Sequence, residues 1–324
     1  MPVEFIGIAR TADRSETSAE TGPAVHPEYL YHLAATHEQS GFDRVLVAHA
    51  SSSPDGFIVA DQVLNATSRL GVLLAHRPGF VAPTIAARKF ATVDAFYPGR
   101  IALHVIAGGD DGDRARDGDF TDQATRYRRT DEFLDVVKLE WSSEQPFRYD
   151  GEFYQVAGAW SALRPPGGHL PIYFGGASAD AVRVGGRHAD VYAFWGEPLE
   201  GIRQRIAHVR ASAEAAGRSI GRFSVSLRPI AADTEAAAWE RAREILAVPK
   251  DGAATGAVGN STALVGSYEQ VAESLLDYVA AGATTLLICG YDPLLDAAAY
   301  ADLIKLVHDQ VGEDVDSYRV RVAA

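Results

Sequence analysis

Short apolar runs alternate with longer stretches of helical spacing along almost the whole chain. Runs at 3–8, 44–48, 71–75 and 101–107 are separated by segments at 26–40, 56–69 and 83–96. In these segments apolar residues recur every three or four positions, as in Tyr29, Leu30, Leu33 and Ala34. The pattern resumes with runs at 172–174, 191–194, 223–230 and 284–288, interleaved with helical segments at 179–187, 199–216, 235–247, 268–281 and 294–311. Repeated βα units imply a parallel sheet. Eight strand candidates is the number that closes a TIM (β/α)8 barrel. An open doubly wound sheet is the competing arrangement, but no Gly-x-Gly-x-x-Gly opens the first helical segment. The barrel is the expected fold.

Two stretches break the alternation, both between the fourth and fifth runs. Residues 110–122 are acidic and Gly-rich, and 141–166 contains an aromatic hairpin pattern around Asp150-Gly151. Residues 11–22 read as a long surface loop.

Composition narrows the function classes. The 324 residues carry 30 Lys plus Arg against 43 Asp plus Glu, a formal charge of −13, which argues against broad binding to nucleic acid or anionic membranes. No apolar run is long enough to span a bilayer, and the first ten residues lack a basic leader, so a cytoplasmic protein is expected. Cys289 stands alone, which rules out an intrachain disulfide and a cysteine-based metal site.

In a barrel of this kind chemistry sits at the C-terminal ends of the strands. Those ends carry His49, His76-Arg77, His104, Gly175 to Ser178, Trp195, Arg228 and Tyr291, with few carboxylates, so a locally positive mouth is expected. No His-x-His or His-Glu-x-x-His offers a zinc site, no paired carboxylates stand at the strand ends, and no Gly-x-Ser-x-Gly supplies a nucleophile. With no protein nucleophile in view, the chemistry falls to a bound cofactor. Gly175-Gly176-Ala177-Ser178, followed by a helix, reads either as an ordinary strand-to-helix turn or as a seat for a phosphate.

Several longer motifs stand in register along the chain. They include Arg77-Pro78-Gly79-Phe80, Gly108-Gly109-Asp110, Arg126-Tyr127-Arg128-Arg129-Thr130-Asp131-Glu132-Phe133, 171–178, Trp195-Gly196-Glu197-Pro198, 262–266 and Gly290-Tyr291. Together they resemble the bacterial luciferase-like flavin-dependent monooxygenases, most closely the alkanesulfonate monooxygenase branch. The resemblance implies one barrel domain over 1–324, with insertions at about 108–125 and 141–170 and a shortened lid at about 248–261. It implies FMN as cofactor, taken up as FMNH2 from a separate NAD(P)H-dependent FMN reductase, with O2 as co-substrate. A homo-oligomer, dimer or tetramer, is expected. In the sulfonate branch one oxygen atom is inserted and the products are an aldehyde and sulfite.

Carried over position by position, Ala177 and Ser178 match the phosphate-binding pair, which in the sulfonate branch is two serines. Tyr127 matches a tyrosine near the flavin phosphate, Gln123 stands where related families show a histidine, and both, with Ser53, His104, Ala177 and Ser178, are the cofactor-binding candidates. His104 replaces an asparagine beside the isoalloxazine, and Ser53 aligns with an active-site cysteine. Trp195 and Tyr291 match aromatic pocket residues. Ser53, Arg228 and Tyr291 are the catalytic candidates, and Trp195, Arg228 and Tyr291 the substrate-binding ones. The branch carries Arg-x-His on its seventh strand, where this chain has Ser226-Leu227-Arg228. Arg228, expected at the strand's exposed end, can still clamp a small anionic organosulfur substrate. The departures keep two alternatives open: a non-sulfonate substrate (sulfone, amine, heterocycle or long-chain carbonyl), or a non-catalytic flavin-binding partner subunit.

Overall fold

The computed structural model describes residues 1–13, 22–107, 109–247 and 262–323; the shortened lid expected at 248–261 lies outside them. In chain order the first half comprises β1 (Glu4–Ile8), α1 (Pro27–Gln39), β2 (Arg44–Val47), α2 (Gly56–Ala66), β3 (Gly71–His76), α3 (Pro83–Phe96), β4 (Ile101–Val105), α4 (Asp111–Arg116) and α5 (Gln123–Ser142). A hairpin comes next, β5 (Phe147–Asp150) and β6 (Gln155–Ala159). The second half comprises β7 (Ile172–Gly175), α6 (Ala179–His188), β8 (Val191–Trp195), α7 (Leu199–Ala215), β9 (Arg222–Ala232), α8 (Glu235–Ala247), β10 (Thr262–Ser267), α9 (Tyr268–Ala281), β11 (Thr285–Ile288), α10 (Pro293–Val311) and α11 (Val315–Ala323).

The parallel strands run β1-β2-β3-β4-β7-β8-β9-β11 and close back on β1, giving the eight-stranded barrel with its helices outside. All eight are the apolar runs of the sequence. β10 is not among them. It pairs only with the upper half of β9, from Thr262↔Leu227 to Ser267↔Ala232, while the lower half of β9 pairs with β11. β9 is long because it serves two neighbours in succession.

Local chemistry starts the helices where they begin. Asp55, Asp110, Asp122 and Ser178 each accept a hydrogen bond from the backbone N–H three residues on, capping α2, α4, α5 and α6. The acidic stretch at 110–122 is thus not irregular throughout, since Asp110 nucleates the short helix α4.

Strand residues alternate between two environments. One parity (Phe5, Val45, Val72, Leu103, Phe174, Tyr192, Val225, Leu286) packs against the helices in the main core. The other (Ile6, Leu73, Ala102, Tyr173, Val191) fills the barrel interior. On that inward parity, at the N-terminal end, Glu4 accepts hydrogen bonds from Arg44 Nε (2.9 Å), Tyr173 Oη (2.6 Å), Arg222 Nη2 (2.9 Å) and Thr285 Oγ1 (3.1 Å). One carboxylate on β1 thereby ties strands β2, β7, β9 and β11 together beneath the interior. No helix among the described residues is long and apolar enough to cross a membrane.

Removing this carboxylate leaves two partly buried guanidinium groups and a buried phenol without their anion. Glu4→Ala is expected to cost about 3 kcal/mol or more of unfolding free energy, and Glu4→Gln less because it keeps an acceptor. Urea denaturation of the two variants against the parent chain checks this.

Candidate active site

The strand alternation that fills the interior also decides which residues reach the mouth. Continuing the inward parity upward places His104 above Ala102, Trp195 above Val191 and Ala193, and Ser226 and Arg228 above Ser224. Trp195 is 50% exposed at the rim and lies opposite Ser226 in the β8–β9 register. His104 sits between Ala75 and Tyr173. Its Nδ1 is shut off from solvent and has no hydrogen-bond partner among the described residues. Burial pulls its pKa down to about 4, so at neutral pH it is an uncharged imidazole.

The turn after β7 is built around close approach. Gly176 has φ +151°, and a Cβ built there would lie 2.5 Å from Ala181 Cβ and 3.0 Å from Tyr127 Oη. Gly175 meets the same limit, with its missing Cβ 3.0 Å from the Ala193 carbonyl oxygen. Tyr192 Oη donates to the Gly176 carbonyl (2.8 Å) and holds the turn from below. Ser178 then caps α6, its hydroxyl 3.2 Å from Ala181 N. Tyr127, Gly176 and the N-terminus of α6 therefore converge on one small cradle with a positive dipole end and no room for extra side-chain bulk. Ala177 is exposed in the same turn, and Gln123 is exposed in the first turn of α5, the helix that carries Tyr127.

The α5–α6 contact that sets this cradle is ionic. Asp131 on α5 accepts from Arg183 Nη1 (2.9 Å), Arg187 Nη1 (2.6 Å) and His188 Nε2 (2.7 Å), and Asp135 accepts two bonds from Arg187. Against the opposing cost of burial, those donors hold the Asp131 carboxyl well below the usual range.

Arg228 lies deeper than the sequence suggests. It is 3% exposed rather than at an open strand end; its Cζ stands 3.8 Å over the Tyr291 ring, and Nη2 donates to the Gly290 carbonyl (3.1 Å). The turn at 290–292 is itself shaped by Asp296 of α10, which accepts from Asp292 N (2.8 Å) and from Arg241 of α8. A Cβ at Gly290 would collide with that carboxylate. The structure thus brings Arg228 and Tyr291 together, as it brings Tyr127 to Gly176. Ser53 is exposed in the turn after β2, where its Oγ accepts from Ala50 N (3.1 Å).

The expected positive mouth is largely neutralised. His76 belongs to the outward parity and is buried in an aromatic box, stacked on Phe133 and edge-on to Phe57 and Phe90. Burial, helped by nearby His49 and Lys89, lowers its pKa to about 4. Arg77 is buried with Nη2 2.7 Å from Asp113 Oδ2, while Asp113 Oδ1 accepts from both N (3.0 Å) and Oγ (2.7 Å) of Ser51. Burial works to raise the Asp113 pKa, but these bonds outweigh it and hold the carboxyl at about 2. Asp113 on α4 therefore ties the loops after β2, β3 and β4 together, a role that only the folded chain reveals.

A family model described as Luciferase-like monooxygenase matches residues 3–285. The chain belongs to the luciferase-like monooxygenase family. Long-chain alkane monooxygenase (LadA) shares its fold with a TM-score of 0.83 at 14% identity, over 100% of this chain and 96% of that one. Riboflavin lyase (RcaE), solved with modified FMN and its substrate riboflavin, gives 0.82 at 16% identity, over 96% and 92%. An F420-dependent secondary alcohol dehydrogenase, solved with an F420–acetone adduct, gives 0.75 at 17% identity, over 95% and 99%. At these identities the likeness is one of fold. Proteins with this fold serve different substrates and two kinds of flavin-like cofactor.

His76 and His104 set a pH dependence. Their pKa values lie near 4 in the folded chain against about 6.5 unfolded, so between those values the unfolded state binds more protons. Stability from these groups is therefore full above about pH 6.5 and lost as pH falls toward 4. Thermal unfolding from pH 7 to 4 should show this decline, and His104→Asn should reduce its slope.

Proposed function

We propose that the chain is a two-component monooxygenase that uses reduced FMN and O2 to oxygenate a small organosulfur substrate. The observation that carries this reading is the cradle of Tyr127, Gly176, Ala177 and Ser178 at the N-terminus of α6. Its fit to a flavin phosphate rests on the close approach of the Gly176 backbone to the Tyr127 hydroxyl, together with the helix dipole. Gln123 and Ser53 would flank the cofactor in this reading. His104, neutral and on the inward parity below the mouth, would offer one hydrogen bond to the ring system. Reduced FMN, when bound, supplies the electrons that activate O2, one oxygen atom entering the substrate and the other leaving as water. A separate NAD(P)H-dependent reductase would provide it, and a homo-oligomeric assembly belongs to the same reading.

On the substrate side, Trp195 at the rim and Tyr291 over Arg228 would wall the pocket, and the guanidinium would fix an anionic sulfonate. Desulfonation to an aldehyde and sulfite is the outcome for such a substrate. The burial of Arg228 under Tyr291 favours a second reading, in which the substrate is neutral, such as a sulfone, and Arg228 stiffens the pocket wall.

Anaerobic titration with reduced FMN, followed by a sulfite assay over a sulfonate panel with reductase and NAD(P)H, tests both halves. Micromolar or tighter binding with sulfite release supports the first reading. Binding without sulfite from any sulfonate removes the desulfonation half, and no binding removes the flavin reading. Ser178→Ala should weaken FMNH2 binding by about 1–2 kcal/mol through a lost phosphate hydrogen bond. Arg228→Lys should lower turnover of a sulfonate at least tenfold, because an ammonium cannot reproduce the planar stack and fork.

A further inference from the structure

Beside the phosphate cradle lies a groove of about 470 Å³ lined by Ala124, Arg128, Asp131, Glu132, Glu152, Asp180 and Arg183. Ala124 and Arg128 flank Tyr127 on α5, and Asp180 is two residues beyond Ser178 on α6. The groove thus runs along the same first turns of α5 and α6 that carry Tyr127 and Ser178. Its lining holds four carboxylates and two guanidinium groups, and both cations are already engaged. Arg128 donates to Glu152 from Nε (3.3 Å) and Nη2 (3.2 Å), and Arg183 donates to Asp131 (2.9 Å) and lies 3.9 Å from Asp180. Glu132 is committed too, accepting from the backbone N–H groups of Glu152, Phe153 and Tyr154, which fixes the β5–β6 turn against α5. Glu152 is thereby held at the groove's edge rather than free to swing away.

We propose that this acidic groove selects the cofactor by the groups attached beyond its phosphate. The inference rests on the flavin reading above and deepens it. A flavin that ends at its phosphate places its charge against Tyr127 and the α6 N-terminus and leaves the groove alone. A flavin extended by further anionic groups, the second phosphate of FAD or the oligoglutamyl tail of F420, meets a surface with two carboxylates in excess of its cations. Like charges across a partly solvated groove repel in a salt-dependent way. Asp180 and Glu152, both with side chains well open to solvent, are the specificity-determining residues.

Anaerobic fluorescence titrations of the full chain with reduced FMN, reduced FAD and reduced F420, at low and at high salt, read the affinities directly. The native chain is expected to bind reduced FMN at least tenfold tighter than either extended flavin at low salt, with the ratio narrowing as salt rises. In the Asp180→Asn, Glu152→Gln double variant, checked for native helix content by circular dichroism, the ratio should shrink at least threefold. Equal affinity for all three in the native chain, or a preference unmoved by both salt and the double variant, overturns the proposal while leaving the flavin reading intact. Failure to bind any of the three overturns the flavin reading and this selection with it.

Discussion

The two-residue alternation of the barrel strands is the constraint on which the site depends. A parallel strand has only two faces, and closing eight of them turns one face inward for the whole length of the strand. Glu4, Ile6, Tyr173, His104, Trp195 and Arg228 share that inward parity, so a plug, a packed layer and a mouth are stacked by register alone. His76 shows the converse. One residue's difference from Ala75 and Arg77 sends it into the aromatic box behind the barrel, where its imidazole is kept neutral and away from any ligand.

Charge is handled by local pairing rather than by composition. An acidic chain that must hold arginines near its mouth has carboxylates to spare, and the structure uses them. Asp113 answers Arg77, Asp131 answers Arg183 and Arg187, and Asp296 answers Arg241. Each of these carboxylates also accepts a backbone N–H or a second side-chain donor that locates a loop or a helix. The ion pairs are consequently worth more as positioning devices than as sources of stability, since burying paired charges roughly offsets their attraction. What they position is the cradle at α6 and the turn that cages Arg228.

Much of this is legible in the sequence, for identifiable reasons. Eight strands and most helices can be read because apolar periodicity is a local signal, and Asp150-Gly151 announces the β5–β6 hairpin. The cradle is half legible. Gly175-Gly176 before a Ser-capped helix marks a tight turn, but only the fold brings Tyr127, about fifty residues earlier, to the missing Cβ of Gly176. β10 escapes, although it is longer than β2, β7 or β11, because it stands outside the barrel closure and pairs with the upper half of β9. Asp113 and Asp296 escape because nothing in their neighbours distinguishes them from solvent-facing acids; their roles exist only across long sequence separations. Arg228 is legible in its place on the strand but not in its depth, because burial there comes from stacking on Tyr291, a residue of another strand's loop.

The two ends of the site are built to different tolerances. At the cradle, backbone meets backbone and side chain with no spare volume: Gly175 against Ala193, Gly176 against Ala181 and Tyr127. Substitution there cannot be absorbed by a rotamer change. At the other end, Arg228 and Tyr291 are side chains from separate segments, and what confronts a substrate depends on their rotamers and on the Asp296-braced turn. A single-residue change at that end alters pocket shape or charge without disturbing a strand. Close backbone contact at the turn after β7 and side-chain contact at Arg228 leave one end of the mouth rigid and the other adjustable, and residues on loops over a common barrel are the ones most easily varied.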